Sequence, residues 1–269
     1  MKWTSDAEEA IKKVPFFVRK RVRARVEKEA WEAGNNIVSI NEVRATQKRY
    51  LSNMDSEIKG YQIDICFGPS GCPNRANEGD RLLQKIEGVL KKEDLLGFLR
   101  GRVKGDLKFH HELRVSLADC PNACSQPQIT DIGIIGACTP LQTEETCSLC
   151  EACVDACNED AITLDGDAGL PCIDFNRCLH CGKCITVCPT STIVERGRGF
   201  RVQLGGRLGR HPRLAKELPG IFNEDKTIDI VKASIRLYKE KSRYGERFSE
   251  IFQADDFEGF VKRFGHDLK

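Results

Sequence analysis

Twelve of the 14 cysteines in this 269-residue chain fall into three spaced sets, and any fold must gather each set around a common centre. Cys147, Cys150, Cys153 and Cys157 read C-x2-C-x2-C-x3-C. Cys178, Cys181, Cys184 and Cys188 repeat that spacing 31 residues later, with Pro189 behind the last. The third set is split: five residues separate Cys66 from Cys72, and three separate Cys120 from Cys124. Thiolates are the side chains that select iron–sulfur clusters, and four of them satisfy one cubane. Twelve such residues therefore predict three [4Fe–4S] clusters. Structural zinc is the alternative, but it takes tight C-x2–4-C knuckles, which C-x5-C fits poorly. The two remaining cysteines, Cys138 and Cys172, are expected to be small buried apolar groups.

So many thiols without disulfides point to a reducing, cytoplasmic setting, and the clusters to anaerobic conditions. The first residues, MKWTSDAEEA, are charged and lack the apolar stretch of a secretory signal. No run approaches the roughly 18 apolar residues of a membrane helix. A net charge of +2 with 30% charged residues argues against nucleic acid or an anionic membrane as main partner.

Residue patterns predict helices at the start of the chain. Ser5 with Glu8 reads as a capping box, Pro15 suits the first turn of a second helix, and Val18, Val22 and Val26 recur along Phe16–Ala33. Ser39 and Glu42 form another capping box for a helix within 36–60. From residue 61 the pattern becomes mixed: strands at Tyr61–Cys66, Leu113–Ala118 and Ile132–Ala137, the last ending at Pro140, and helices over Asn77–Leu90 and 94–100. Leu141–Thr146 reads as a polar linker, and Thr227–Tyr244 and Tyr244–Phe264 as amphipathic terminal helices. Gly197-Arg-Gly199 precedes a strand rather than following one, which excludes a dinucleotide loop.

Three stretches carry resemblances. The repeated cysteine run resembles the bacterial two-cluster ferredoxins, which implies that Cys147, Cys150, Cys153 and Cys188 hold one cluster and Cys178, Cys181, Cys184 and Cys157 the other. Asn158 stands where that family repeats its proline, leaving the local turn open. The split set, with SLADCPNACSQPQITDIGIIG at 116–136 and GFRVQLGGRLGRHPRLAKELPGIF at 199–222, resembles the siroheme-dependent sulfite and nitrite reductases. Larger dissimilatory members of that family carry a ferredoxin between these two stretches. WTSDAEEAIKKVPFFVRKRVRARVEKEA, at 3–30, resembles a helical module of a light-independent protochlorophyllide reductase subunit.

The resemblance implies an α+β fold: a siroheme–[4Fe–4S] domain at 51–140 and 194–269, an inserted two-cluster ferredoxin at 141–193, and an N-terminal helical module at 1–50. It also implies siroheme as cofactor, with Cys66, Cys72, Cys120 and Cys124 holding a cluster and Cys124 bridging to the siroheme iron. The activity implied is reduction of a small oxyanion, sulfite to sulfide ahead of nitrite to ammonia. Electrons would come from an external low-potential donor through the ferredoxin clusters. An electron-transfer subunit of a larger complex is the alternative. Typical members contain two homologous halves and this chain has room for one, so self-association or a partner subunit is expected.

Cationic residues near the motifs are the candidates for the anion and the siroheme carboxylates. Arg114, Arg207 and Lys108 are read as catalytic beside Cys124, and Asn122, Arg207 and Arg210 as cofactor-binding. Arg75, Lys104 and Arg213 are further candidates, as is the run Arg19, Lys20, Arg21, Arg23 and Arg25, whose plainer reading is a solvated helix face. Gly205, Gly206 and Gly209 are expected to let backbone approach a cofactor. His110 and His111 are candidate proton donors, though a structural role is the commoner one for a histidine.

Overall fold

The computed structural model describes residues 1–14, 16–165 and 169–265, so Pro15 lies outside the described residues. The chain divides into two compact units, residues 1–58 with 106–108, and residues 59–105 with 109–269.

The first unit comprises β1 (Lys2–Trp3), α1 (Ser5–Lys12), α2 (Phe16–Glu32), β2 (Ile37–Val38) and α3 (Ile40–Glu57). Thr4, rather than Ser5, stands at the N-cap of α1, and its carbonyl accepts from Glu8 N–H at 3.0 Å. Ser5 is thus already helical, and the expected Ser5–Glu8 box gives way to a start shifted by a residue, without a side-chain cap. The Ser39–Glu42 capping box does form and starts α3. Ala7, Val26, Ala30 and Val38 make a small core, with Trp3, Val22 and Val43 packed on it. The parallel β1–β2 pair is absent from the sequence-based expectations, because two-residue strands leave no periodicity to read.

The second unit is built on a five-stranded sheet. Its elements in order are β3 (Tyr61–Ile65), α4 (Asp80–Lys92), α5 (Leu95–Arg102), β4 (Leu113–Ala118), β5 (Ile132–Gln142), α6 (Ala152–Asp155), β6 (Ile162–Asp165), β7 (Leu170–Ile173), α7 (Lys183–Val187), β8 (Ile193–Leu204), β9 (Lys216–Glu217), α8 (Glu224–Lys241), α9 (Phe248–Ile251) and α10 (Ala254–Phe264). Spatial order is β3-β4-β5-β8-β9, with the first three strands parallel and the last two pairings antiparallel. Strands β4 and β5 are buried almost throughout, as near-continuous apolar runs in covered parallel strands must be.

Two consequences of this topology position the site. Parallel pairing of β3 with β4 puts Cys66 and Cys120 at the same end of the sheet, each just beyond the last residue of its strand. The β5–β8 ladder runs on past that end, from Ile132↔Leu204 to Gln142↔Ile193. It does not stop at Pro140 as expected; a register shift between Thr139 and Pro140 absorbs the missing donor. Beyond the ladder, Thr143 N–H donates to the Thr192 carbonyl at 2.8 Å, closing the neck of segment 143–192.

That segment holds the two short helices α6 and α7 and the antiparallel β6–β7 pair. Its backbone repeats as its cysteines do. Leu149, Glu151 and Asp160 adopt left-handed φ of 53°, 60° and 46°, and His180, Gly182 and Ser191, each 31 residues on, adopt 58°, 74° and 56°. At the C-terminal end, Asn223 caps α8, Gly245 with φ 79° turns the chain between α8 and α9, and the single helix expected over Tyr244–Phe264 is two, parted at Phe252 and Gln253. Tyr238 on α8 packs edge-on against Phe98 and Phe248, tying α5, α8 and α9 together.

Candidate functional site

The thiols at the carboxyl end of the sheet surround a cavity of about 380 Å³. Cys66, Cys72, Cys120 and Cys124 line it from the strand ends, and Cys157, Cys178, Cys181 and Cys184 from segment 143–192. A second, smaller void is lined by Cys147, Cys150, Cys153 and Cys188. Cys157 thus lies with the later set and Cys188 with the earlier. Among the described residues, no three Cys, His, Asp or Glu side chains converge closely enough for a single ion. The sulfurs ring voids instead, the arrangement that suits a cluster with its own inorganic core.

Local backbone aims N–H groups at several sulfurs. Leu149 N–H reaches Cys147 Sγ and His180 N–H reaches Cys178 Sγ, both at 3.4 Å, from the paired left-handed positions. Gly68 N–H and Asp119 N–H reach Cys66 Sγ at 3.3 and 3.2 Å. Asn122, whose predicted role was cofactor contact, donates from Nδ2 to Cys124 Sγ at 2.9 Å. Cys124 itself is exposed, the only one of its four with that degree of access.

Burial pushes the Cys184 thiol up to about 12 and raises Cys178, Cys153 and Cys120 as well. At Cys188 burial also acts upward, but hydrogen bonds from Ile193 and Thr190 bring the thiol below its usual value. A hydrogen bond from Ser148 lowers Cys150. Buried thiols of this kind give up their protons when a metal takes their place, so the pocket chemistry fits a cationic iron–sulfur core.

Of the predicted cationic residues, only Arg75 lines the larger cavity, and its guanidinium is already engaged. Nε donates to Asp119 Oδ2 at 2.6 Å, and a second nitrogen binds Asp80. Arg114 stands near the amino end of β4, about 20 Å along the strand from Cys120. There its N–H donates to the buried Asp131 carboxylate at 2.9 Å. Lys108 falls in the first unit, and His110 and His111 precede β4 at its amino end.

The glycine turn after β8 is also at that amino end, because β8 runs antiparallel to β5. Arg213 there donates to the Gly205 and Ser249 carbonyls, and Arg207 Nε to the His211 carbonyl, while Arg210 is exposed. The space beside Gly206 is taken by the chain's own backbone: a Cβ would lie 2.5 Å from the Gln128 carbonyl. Close approach does explain this glycine, but the partner is protein. In the N-terminal basic run, Arg23 pairs with Glu8 and covers the Trp3 ring, Arg25 pairs with Glu29, and Arg19 binds the Lys12 and Val14 carbonyls.

Cys138 is buried as expected, its thiol raised to about 11 by burial, and its N–H donates to the His180 carbonyl at 2.7 Å. Cys172 is exposed instead, on β7. Sequence reasoning missed Asp119, 1% exposed and one residue before Cys120. The available signal was an acidic residue inside an otherwise apolar strand end.

Thiol-lined voids at the carboxyl end of a mixed sheet define an iron–sulfur domain of mixed α/β architecture. Within that class the chain belongs to the nitrite and sulphite reductase 4Fe–4S domain family, whose model matches residues 63–269. A model of the proto-chlorophyllide reductase 57 kD subunit matches residues 3–46.

Similar proteins include the coenzyme F420-dependent sulfite reductase of Methanocaldococcus jannaschii, 28% identical over 156 residues, covering 58% of this chain and 24% of that one. The dissimilatory-type sulfite reductase subunit beta of Archaeoglobus fulgidus is 28% identical over 175 residues, covering 60% and 48%. One of the subunits of the anaerobic sulfite reductase of Salmonella typhimurium is 30% identical over 215 residues, covering 77% and 61%. The chain therefore spans between 24% and 61% of the length of these relatives. Among the described residues, no helix is long and apolar enough to cross a membrane.

Proposed function

We propose that this chain is a siroheme-dependent reductase of a small oxyanion, sulfite ahead of nitrite, fed by an inserted two-cluster ferredoxin. The observation that carries this reading is the shared cavity. Eight thiols, four from the sheet and four from the inserted segment, line one space, so two clusters would sit side by side in it. Cys147, Cys150, Cys153 and Cys188 would hold the third cluster, farther from the sheet and nearer an external donor.

Cys66, Cys72, Cys120 and Cys124 would hold the cluster coupled to siroheme. When bound, siroheme supplies the iron on which a small anion is reduced. Cys124 suits the bridging role because it is the exposed thiol of its set, and Asn122 holds its sulfur in place. Arg75 is committed to Asp119 and Asp80, so the anion must be met by other cations. Arg207 and Arg210, read from the sequence as partners of siroheme carboxylates, stand on the turn after β8 at the amino end of the sheet and line neither thiol void, so that contact would require the cofactor to reach the far end. Arg114 and Lys108 line neither thiol void, and their proposed contact with substrate would require a site away from them.

Purified anaerobically, the protein is expected to show siroheme absorption and to oxidise reduced viologen with sulfite. Turnover of nitrite with none of sulfite would overturn the substrate choice. The second reading is an electron-transfer subunit, favoured by the placement of Arg114, Arg207 and Arg210 at the end of the sheet opposite the thiols. Cluster absorption without siroheme, and turnover of neither anion, would establish it.

A further inference from the structure

Asp119 joins the two halves of the split thiol set through every polar group it has. Its N–H donates to Cys66 Sγ at 3.2 Å. Its carbonyl accepts from Ala76 and Asn77 N–H at 2.9 and 3.1 Å. Oδ1 accepts from Gly79 N–H at 3.1 Å, and Oδ2 from Arg75 Nε at 2.6 Å. All these partners lie on the 66–79 loop that carries Cys66 and Cys72, whereas Asp119 itself directly precedes Cys120.

The surroundings are cleared for it. A Cβ at Gly68 would overlap Oδ2, one at Gly79 would lie 2.6 Å from Oδ1, and one at Gly136 would overlap the Asp119 carbonyl. A carboxylate only 1% exposed is costly to bury unless its charge is paired. Arg75 provides the pairing, and another of its nitrogens binds Asp80.

We infer that Asp119, clamped by Arg75, is the positioning residue that assembles the Cys66–Cys72–Cys120–Cys124 site and sets the charge beside it. The inference rests on the reading of those four thiols as one cluster site, but it does not require siroheme or a particular substrate. Arg75 lines the cavity, so its guanidinium and the Asp119 carboxylate act on the potential of that centre with opposite signs.

The test compares Asp119→Asn, Arg75→Gln and Arg75→Lys in the full chain, read by iron and acid-labile sulfide content and by redox titration of each centre. Asp119→Asn keeps the shape but removes the charge and the acceptor for Arg75. It is expected to lose about a third of the cluster iron, with four cysteines serving each cubane. Any centre still formed at that site should titrate at a higher potential than in the wild type. Arg75→Gln should shift the same centre to lower potential. Arg75→Lys keeps the charge without the two-pronged geometry, so it should restore the potential while leaving that site incompletely loaded.

Full iron content with unchanged potentials in all three variants would overturn the inference, and so would proportional loss of all centres. If Asp119→Asn does not fold, the two Arg75 variants decide alone. A wild-type chain without siroheme or turnover, whose third centre nevertheless responds this way, would defeat the proposed function and leave the inference standing. A wild-type chain with only two clusters would defeat the inference itself.

Discussion

Segment 143–192 and the sheet end both gather cysteines around a void, but they do so by different physics. In the segment, each run of four cysteines spans eleven residues, and paired left-handed turns repeat at the same interval as the thiols. Short-range backbone geometry there aims both sulfurs and N–H groups. At the sheet end, Cys66 and Cys120 meet only because β3 and β4 run parallel in register from Tyr61↔Leu113 to Ile65↔Leu117. Their ligand geometry is tertiary. A locally encoded site tolerates distant change, whereas a site made by strand pairing depends on residues that never touch a ligand.

The sharpest break of this comparison is Cys124→Ser. Reduction of either anion with viologen is expected to fall to background, while the clusters of segment 143–192 keep their spectra. An undiminished rate would remove Cys124 from the bridging role.

Next in size is excision of residues 144–191 and closure of the neck with a two-residue turn. Thr143 and Thr192 are already hydrogen-bonded across that gap, so the β5–β8 ladder should survive. Cluster iron is expected to fall by about two thirds, since eight of the twelve proposed ligand cysteines leave with the segment. Loss of the remaining third as well would show that the sheet site cannot form without the segment.

A remote change tests the tertiary side of the comparison. Gly136 sits on β5 against the Asp119 carbonyl, with no room for a Cβ. Gly136→Ala is expected to cost about 1–3 kcal/mol in denaturant unfolding, as overpacking does, and to lower iron at the sheet site alone. Gly169, with open space around it, is not constrained in this way by packing.

The smallest expected effects separate the two cysteines outside the thiol sets. Cys138 is buried where β5 meets the second cysteine loop, and Cys138→Ala should destabilise by about 1 kcal/mol. Cys172→Ala, at an exposed position, should stay within about 0.5 kcal/mol of wild type in the same measurement.

Much of this organisation was legible in the chain itself. The cysteine spacings marked the two repeated thiol sets, because geometry within a short loop is fixed by residue count, and each half of the split set. Apolar patterning located β3, β4 and the start of β5, and the Ser39–Glu42 box located the start of α3. Such features are decided by neighbours in sequence, and sequence carries them openly.

Tertiary structure decided the rest. Nothing in the order of residues says that Arg114, six positions before Cys120, stands at the far end of a strand. Nor does it say that the arginines after β8 lie at that same end, because antiparallel pairing carries β8 back down the sheet. The commitment of Arg75 to Asp119 and Asp80, and the crowding of three glycines around one aspartate, likewise exist only once separate segments meet. Spacing can fix what a dozen residues share, but charge pairing and clearance depend on distances through space.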